Sequence, residues 1–185
     1  MRGYTLFTMA LLALASGAPS FSQDKFSKDS LAPYIPSPEV VVDKMLEAAQ
    51  VKANEIVYDL GSGDGRIVIE AAQKYHARAV GVELRGDLCK STRARIQALG
   101  LSDRITLIQG NLLKVDLRPA DVVTLYLLTS SNERLRPNLE KYLKPGARVV
   151  SNDFEILGWK PAEVLQIDAG GVLHNIYVYE IAARK

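Results

Sequence analysis

Asp59 and Asp64 flank three alternating glycines, Gly61, Gly63 and Gly65, in the stretch DLGSGDGR at residues 59–66. A further carboxylate, Glu83, stands 22 residues after Gly61. Glycines placed this way leave out side chains that would keep a ligand from the backbone, and they permit positive φ. A helix starting behind the loop aims its free N–H groups at whatever binds there. An acidic residue at the Glu83 distance can accept both hydroxyls of a ribose. The residue types point to a nucleoside ligand, although a G-x-G-x-G loop by itself also fits a plain turn or another nucleotide site.

Spacing separates the nucleosides. A dinucleotide fingerprint has its third glycine three residues after the second, where helix and strand pack around a pyrophosphate. Arg66 holds that position here, and the third glycine comes two residues after Gly63. Two aspartates beside the loop disfavour a pyrophosphate and favour a cationic ligand. A carboxylate can accept from the amino group of a methionine moiety, and backbone carbonyls can face a sulfonium. The loop therefore favours S-adenosylmethionine over NAD. No Walker lysine follows the glycines, so NTPase chemistry is not expected.

The rest of the composition narrows the classes. A chain of 185 residues that is 48% hydrophobic makes one ordinary globular domain with a real core. Its net charge is +2, with basic and acidic residues interspersed, so no nucleic-acid partner is expected. The single cysteine, Cys89, allows neither an intrachain disulfide nor a cysteine metal site. His76 and His174 lack ligand spacing and read as structural or solvated, so no metal is expected.

Alternating elements must position the loop. The stretch SPEVVVDKMLEAAQ has Ser37 as an N-cap and Pro38 in the first turn, with Val41, Val42, Met45, Leu46 and Ala49 on one helical face. Strand 56–60 precedes the glycine loop, and helix 65–75 follows it. A strand at 78–84 leads to a helix at 87–99 that buries Leu88, Thr92, Ile96 and Leu99, with Gly100 as its C-cap glycine. Strands follow at 105–110 and 120–128, the second a nearly continuous apolar run and so suited to burial on both faces. Ser130 and Glu133 have capping-box spacing before a helix carrying Leu135, Leu139 and Leu143. After a strand at 147–153, AEVLQID and HNIYVYEIA form a hairpin around AGG. Five β-α units and a terminal antiparallel hairpin predict an α/β, doubly wound, mostly parallel seven-stranded sheet.

The stretches YDLGSGDGR, GVEL and QGN together with the terminal hairpin resemble the class I, seven-strand, S-adenosylmethionine-dependent methyltransferases. More narrowly, PYIPSPEVVVDKML, VYDLGSGDGRIVIEAA, DVVTLYLL, LKPGARVVSNDF and GWKP, in that order, resemble one subgroup. It comprises the lysine methyltransferases that modify the ATP synthase c-subunit and the adenine nucleotide translocase, with their bacterial relatives. The resemblance runs from about Pro33 to Pro161.

The resemblance implies a cofactor set. Asp59, Gly61, Gly63 and Asp64 would lie along the methionine part, and Glu83 would bind the ribose. Asn111 stands where these enzymes usually carry an aspartate that accepts from the adenine amino group. Tyr34 and Ser37 would cover the cofactor. The end of the fourth strand, Tyr126 to Thr129, would face the transferred methyl, with Thr129 where relatives often have proline. Asn132, Asn152, Asp153 and Trp159 would complete the acceptor pocket, with Tyr126 or Trp159 as an aromatic wall.

Methyl transfer from a sulfonium is an in-line displacement served mainly by proximity and orientation. A lysine must first lose its proton, and Tyr126, Asp153 or solvent could take it; no feature of the sequence chooses a general base. The expected function is N-methylation of a protein lysine. A small-molecule acceptor and a non-catalytic nucleotide-binding module are the alternatives. An NAD-dependent oxidoreductase fits Glu83 but lacks the fingerprint.

Residues 1–22 have the tripartite form of a secretory signal: Arg2, then the apolar YTLFTMALLALA, then small and polar residues. Cleavage after Ser22 or after Gly17 fits. The apolar run is shorter than the ~20 residues of a spanning helix, so an exported or periplasmic enzyme is expected, with an uncleaved membrane-anchoring leader as the alternative. A polar linker at 23–36 and the methyltransferase-like domain at 37–185 complete the expected organisation.

Overall fold

A computed structural model describes residues 31–183; the leader at 1–22 and most of the linker lie outside the described residues. Among the described residues, four helices and seven strands follow in the order α1 (Glu39–Ala48), β1 (Ile56–Leu60), α2 (Arg66–Lys74), β2 (Arg78–Glu83), α3 (Gly86–Ala98), β3 (Ile105–Gln109), β4 (Val122–Leu125), α4 (Thr129–Tyr142), β5 (Arg148–Asn152), β6 (Glu163–Asp168) and β7 (Leu173–Glu180). The strands form one sheet in the order β3-β2-β1-β4-β5-β7-β6. All pairs are parallel except β5 with β7 and β6 with β7. The expected doubly wound sheet with its reversed edge is therefore observed.

Period-two alternation divides the core between the two faces of the sheet. Val57, Ala79, Val122 and Val150 pack beneath α1 and α2. Tyr58, Val123, Leu125 and Val149 pack with Leu135, Leu139 and Leu143 from α4 and the turn after it. Because helices cover a parallel sheet on both sides, β4 is fully buried, apolar except for Thr124. β6, at the edge, alternates exposed and half-buried residues instead.

Several sequence expectations change. Helices follow β1, β2 and β4 only; the β3–β4 crossover holds a single 3-10 turn at Leu112–Lys114, so there are not five β-α units. Pro38, not Ser37, takes the N-cap position of α1, and its carbonyl accepts from Val41 and Val42 N–H. The Ser130–Glu133 capping box does not form, because α4 begins at Thr129 with Leu128 as its cap. The neighbouring Ser131 hydroxyl is drawn into a tertiary bond to the Leu31 carbonyl. In α3 the buried residues are Cys89, Thr92 and Ile96, while Leu99 is exposed at the helix end. Strand β4 is shorter than expected, because residues 126–128 leave the sheet toward the crevice.

Among the described residues, no helix is long and apolar enough to cross a membrane. No cluster of histidine, cysteine or acidic residues there could hold a metal ion.

Candidate active site

The chain runs outward from β1 through β2 to β3, then returns to pair β4 with β1 on its other side. Such a switch point opens a crevice beyond the carboxyl ends of the strands. A cleft of about 590 Å³ lies there, floored by Asp59, Gly61 and Gly63 and walled by Glu83, Asn111 and Tyr126. Residues 31–37 run over it as a strap that includes Tyr34 and Ser37.

The glycine loop owes its shape to its neighbours. Gly61 and Ser62 N–H both donate to the Val82 carbonyl, which ties the loop to the end of β2. Gly65 caps α2 in the left-handed region at φ 77°. A Cβ there would meet Thr92 Cγ2 at 2.5 Å, and one on Gly63 would meet the Tyr34 ring at 2.6 Å. The Thr92 hydroxyl donates to the Gly63 carbonyl at 3.1 Å, so α3 clamps the loop from behind. The sequence marks Thr92 only as a buried helix position; its clamp role depends on contact with residues 29 positions earlier.

Charge is arranged differently from what the loop alone implies. Asp64 pairs with Arg66 at 2.6 Å, and that guanidinium holds its carboxyl below the usual range. The same guanidinium donates to the Ser37 carbonyl at 2.5 Å, fastening the strap to α2. The carboxylates facing the cleft without a guanidinium bond are Asp59 and Glu83. Glu83 is positioned by backbone: Gly63 N–H donates to Oε2 and Arg85 N–H to Oε1, each at 2.8 Å. Asp59 is 4% exposed and accepts from the Thr124 hydroxyl at 2.9 Å. Burial, with the charges of Glu83 and Asp64 added, pushes its carboxyl up to about 7 despite the Thr124 bond. A buried carboxyl held near neutrality is stabilised in its ionised form by an incoming cation.

Asn111 caps the 3-10 turn, its Oδ1 accepting from Leu113 N–H at 2.9 Å. A carboxamide oxygen is an acceptor and can, like a carboxylate, take a hydrogen bond from an amino group.

The acceptor side is divided. Tyr126 lines the cleft, and burial followed by the negative Asp153 raises its phenol. Thr129, Asn132 and Trp159 do not line this cleft. Thr129 opens α4 and is half-buried. Asn132 is 0% exposed and donates to the Phe154 carbonyl at 3.0 Å, which fastens α4 to the turn after β5. The Trp159 indole N–H donates to Glu140 at 2.9 Å, and its ring meets Tyr179 edge-on at 5.6 Å. Asp153 stands behind Tyr126 and pairs with His174 at 2.8 Å. The sequence gives no sign of that pairing, because it forms only when β7 returns antiparallel beside β5.

A flat cleft over glycines, a ribose-spaced carboxylate and a buried carboxyl awaiting a cation fit a sulfonium nucleoside. The comparisons with known proteins agree. Residues 59–163 match the family model described as the ANTKMT methyltransferase domain. A protein-lysine N-methyltransferase of Saccharolobus islandicus is 49% identical, over 83% of this chain and 96% of that protein. The mouse adenine nucleotide translocase lysine N-methyltransferase is 32% identical, over 80% of this chain and 63% of that one. Among solved structures, an RNA methyltransferase from Salinibacter ruber in complex with S-adenosyl-L-homocysteine superposes with TM-score 0.76. It is 44% identical, covering 82% of this chain and 96% of that one.

Proposed function

Because the chain belongs to the ANTKMT methyltransferase domain family, and is thus an S-adenosylmethionine-dependent methyltransferase, we propose that it methylates the side-chain amine of a protein lysine. The observation that carries this reading is the 49% identity, over nearly the full length of the relative, to a protein-lysine N-methyltransferase. Bound in the cleft, the cofactor supplies an electrophilic methyl group. The chain's own residues then bind and orient. Asp59 would accept from the cofactor's amino group, Glu83 would bind its ribose hydroxyls, and Asn111 would accept from its adenine amino group. Gly61 and Gly63 let the ligand approach the backbone, the Asp64–Arg66 pair secures the loop, and Tyr34 and Ser37 cover the site. Tyr126 lines the acceptor side.

The solved relative from Salinibacter ruber, described as an RNA methyltransferase, favours a second reading in which the acceptor is RNA. Transfer of radiolabelled methyl from S-adenosylmethionine into a cell extract treated with protease or with ribonuclease separates the two. Label removed by protease and recovered as methyl-lysine after hydrolysis supports the first reading. Label lost only with ribonuclease overturns it.

The leader belongs to the same proposal. Its tripartite form supports export with cleavage after Ser22. Intact-mass measurement of the native protein tests this, and a retained leader in a membrane fraction would favour the anchor.

A further inference from the structure

Immediately after β5 the chain turns at Asp153, which holds φ 58°, in the left-handed region. A non-glycine residue keeps such a conformation only where its surroundings fix it, and bonds from three elements do so here. Asp153 N–H donates to the Asn175 carbonyl of β7 at 2.7 Å, and Asn175 N–H donates back to Oδ1 at 3.0 Å. Phe154 N–H donates to the Asn152 carbonyl at 2.7 Å. The Phe154 carbonyl accepts from the Asn132 amide of α4 at 3.0 Å and from the Ser151 hydroxyl of β5 at 2.5 Å. The backbone on both sides of the Phe154 ring is thus held. That ring rests against the ring of Tyr126, with centroids 6.2 Å and planes 33° apart. Both residues are half-buried. Leu125 pairs with Leu60 on one side and with Ser151 on the other. Tyr126 and Asn152 therefore leave the sheet side by side, beyond the glycine loop. The residues that suit the cofactor lie on the β1, β2 and β3 side of the cleft, which leaves the β4 and β5 side to the acceptor. Tyr126 lines the cleft there, and Phe154 extends its aromatic surface.

Resting on the lysine-methylation reading, we infer that Phe154 is a specificity-determining residue, which with Tyr126 forms the aromatic wall that receives the acceptor lysine. An aromatic face attracts a cation within about 6 Å of its centroid, and more strongly where water is excluded. Lysine arrives as an ammonium, gives one proton to water and attacks as the neutral amine. As its lone pair forms the new N–C bond, the S–CH₃ pair withdraws onto sulfur. Positive charge thereby returns to nitrogen, and the ring faces stabilise it as it grows. The same rings pack the apolar stem of the lysine side chain. A neutral acceptor of equal length gains the packing alone, so the wall selects for a group that carries or acquires charge.

The test uses two probes, choline and its neutral carbon isostere neohexyl alcohol, on the full chain loaded with S-adenosyl-L-homocysteine. That product fills the cofactor side first, so choline cannot lodge beside Asp59. Choline has no lone pair on nitrogen and reports binding without turnover. Wild type should bind choline about fivefold or more tightly than the alcohol, and F154L should lose about that factor. F154Y keeps a ring and should recover most of it. A readout without any variant is the nuclear Overhauser contact expected between the choline methyl protons and the Phe154 ring. Equal choline affinity in wild type and F154L, or equal binding of the two probes, overturns the inference. So does a wild-type enzyme that binds no choline, or a loss confined to D153N, which would assign the cation to the carboxylate instead. If the wild-type enzyme methylates no protein lysine, the functional reading fails, and the choline contacts alone decide whether Phe154 completes a cation-binding wall.

Discussion

The Thr124 hydroxyl on β4 donates to the Asp59 carboxylate on β1 at 2.9 Å, across the switch point of the sheet. It is the one favourable influence on a carboxylate whose burial and acidic neighbours otherwise push it up to about 7. The unfolded chain would titrate this group near 3.8. Between those values the folded state binds more protons than the unfolded one, so this group's contribution to stability falls as pH rises through the window. In the cofactor-free protein the loss amounts to roughly 2–4 kcal/mol. The expected outcome is a melting temperature that declines from pH 4 to pH 7 more steeply in wild type than in D59N. Cofactor binding should reverse the sign, ionising Asp59 and releasing a proton near pH 6. Calorimetry in buffers of different ionisation enthalpy reads that proton, and equal proton release by D59N would remove Asp59 from the account.

Gly65 separates two costs that usually arrive together. An alanine there must adopt φ 77° and must also displace Thr92 Cγ2, 2.5 Å from the new Cβ. G65A should lose about 2–4 kcal/mol in chemical denaturation, combining a left-handed non-glycine with overpacking. T92S removes the obstructing methyl and keeps the hydroxyl that donates to Gly63. In that background only the backbone cost of about 1–2 kcal/mol should remain. An undiminished loss would show that Thr92 is not what limits the position.

The sheet, the glycine loop and Glu83 are legible in the sequence because each depends on local periodicity or on spacing within one β-α-β unit. Val57 and Tyr58 announce opposite faces by alternation alone, and Gly61 to Gly65 lie next to the strand that presents them. The acceptor side is not legible in the same way. Asn132 looks like a pocket residue from its place after β4, but its amide closes onto carbonyls 22 and 23 residues later. Asp64 looks like a spare negative charge until Arg66 folds back on it. His174 has no nearby partner in sequence, and only the antiparallel return of β7 brings it to Asp153. The expected Ser130–Glu133 capping box fails because α4 already starts at Thr129 with Leu128 as its cap, which leaves Ser130 inside the first turn. Tertiary partners override local signals where the chain crosses over itself.

Trp159 tests the boundary of the site. Its N–H bond to Glu140 and edge contact with Tyr179 give it a packing role outside the cleft. W159A should cost about 1–3 kcal/mol in stability and leave kcat for lysine methylation within about twofold at a temperature where the variant is folded. A tenfold loss of kcat without loss of stability would restore the aromatic wall that the sequence suggests.

Arg66 sets two effects against each other. Its guanidinium neutralises Asp64 and, through the Ser37 carbonyl, holds the strap whose Tyr34 ring lies over Gly63. Removing it leaves an unpaired carboxylate beside the loop, which by charge alone should attract a cationic cofactor more strongly. Removing it also frees the strap, which should shorten the residence of anything beneath. The pair is about a quarter exposed and therefore worth at most about 1 kcal/mol to folding, so R66A should melt within a few degrees of wild type. If the strap dominates, R66A binds S-adenosylmethionine about tenfold more weakly, chiefly through faster dissociation. R66K then falls between, because an ammonium keeps the charge but cannot grip Asp64 and Ser37 at once. Tighter binding by R66A would mean that Asp64 acts as an electrostatic trap and that the strap contributes little. Stopped-flow dissociation of a fluorescent cofactor analogue distinguishes the two, since the strap predicts a change in off-rate and the trap a change in on-rate that salt suppresses.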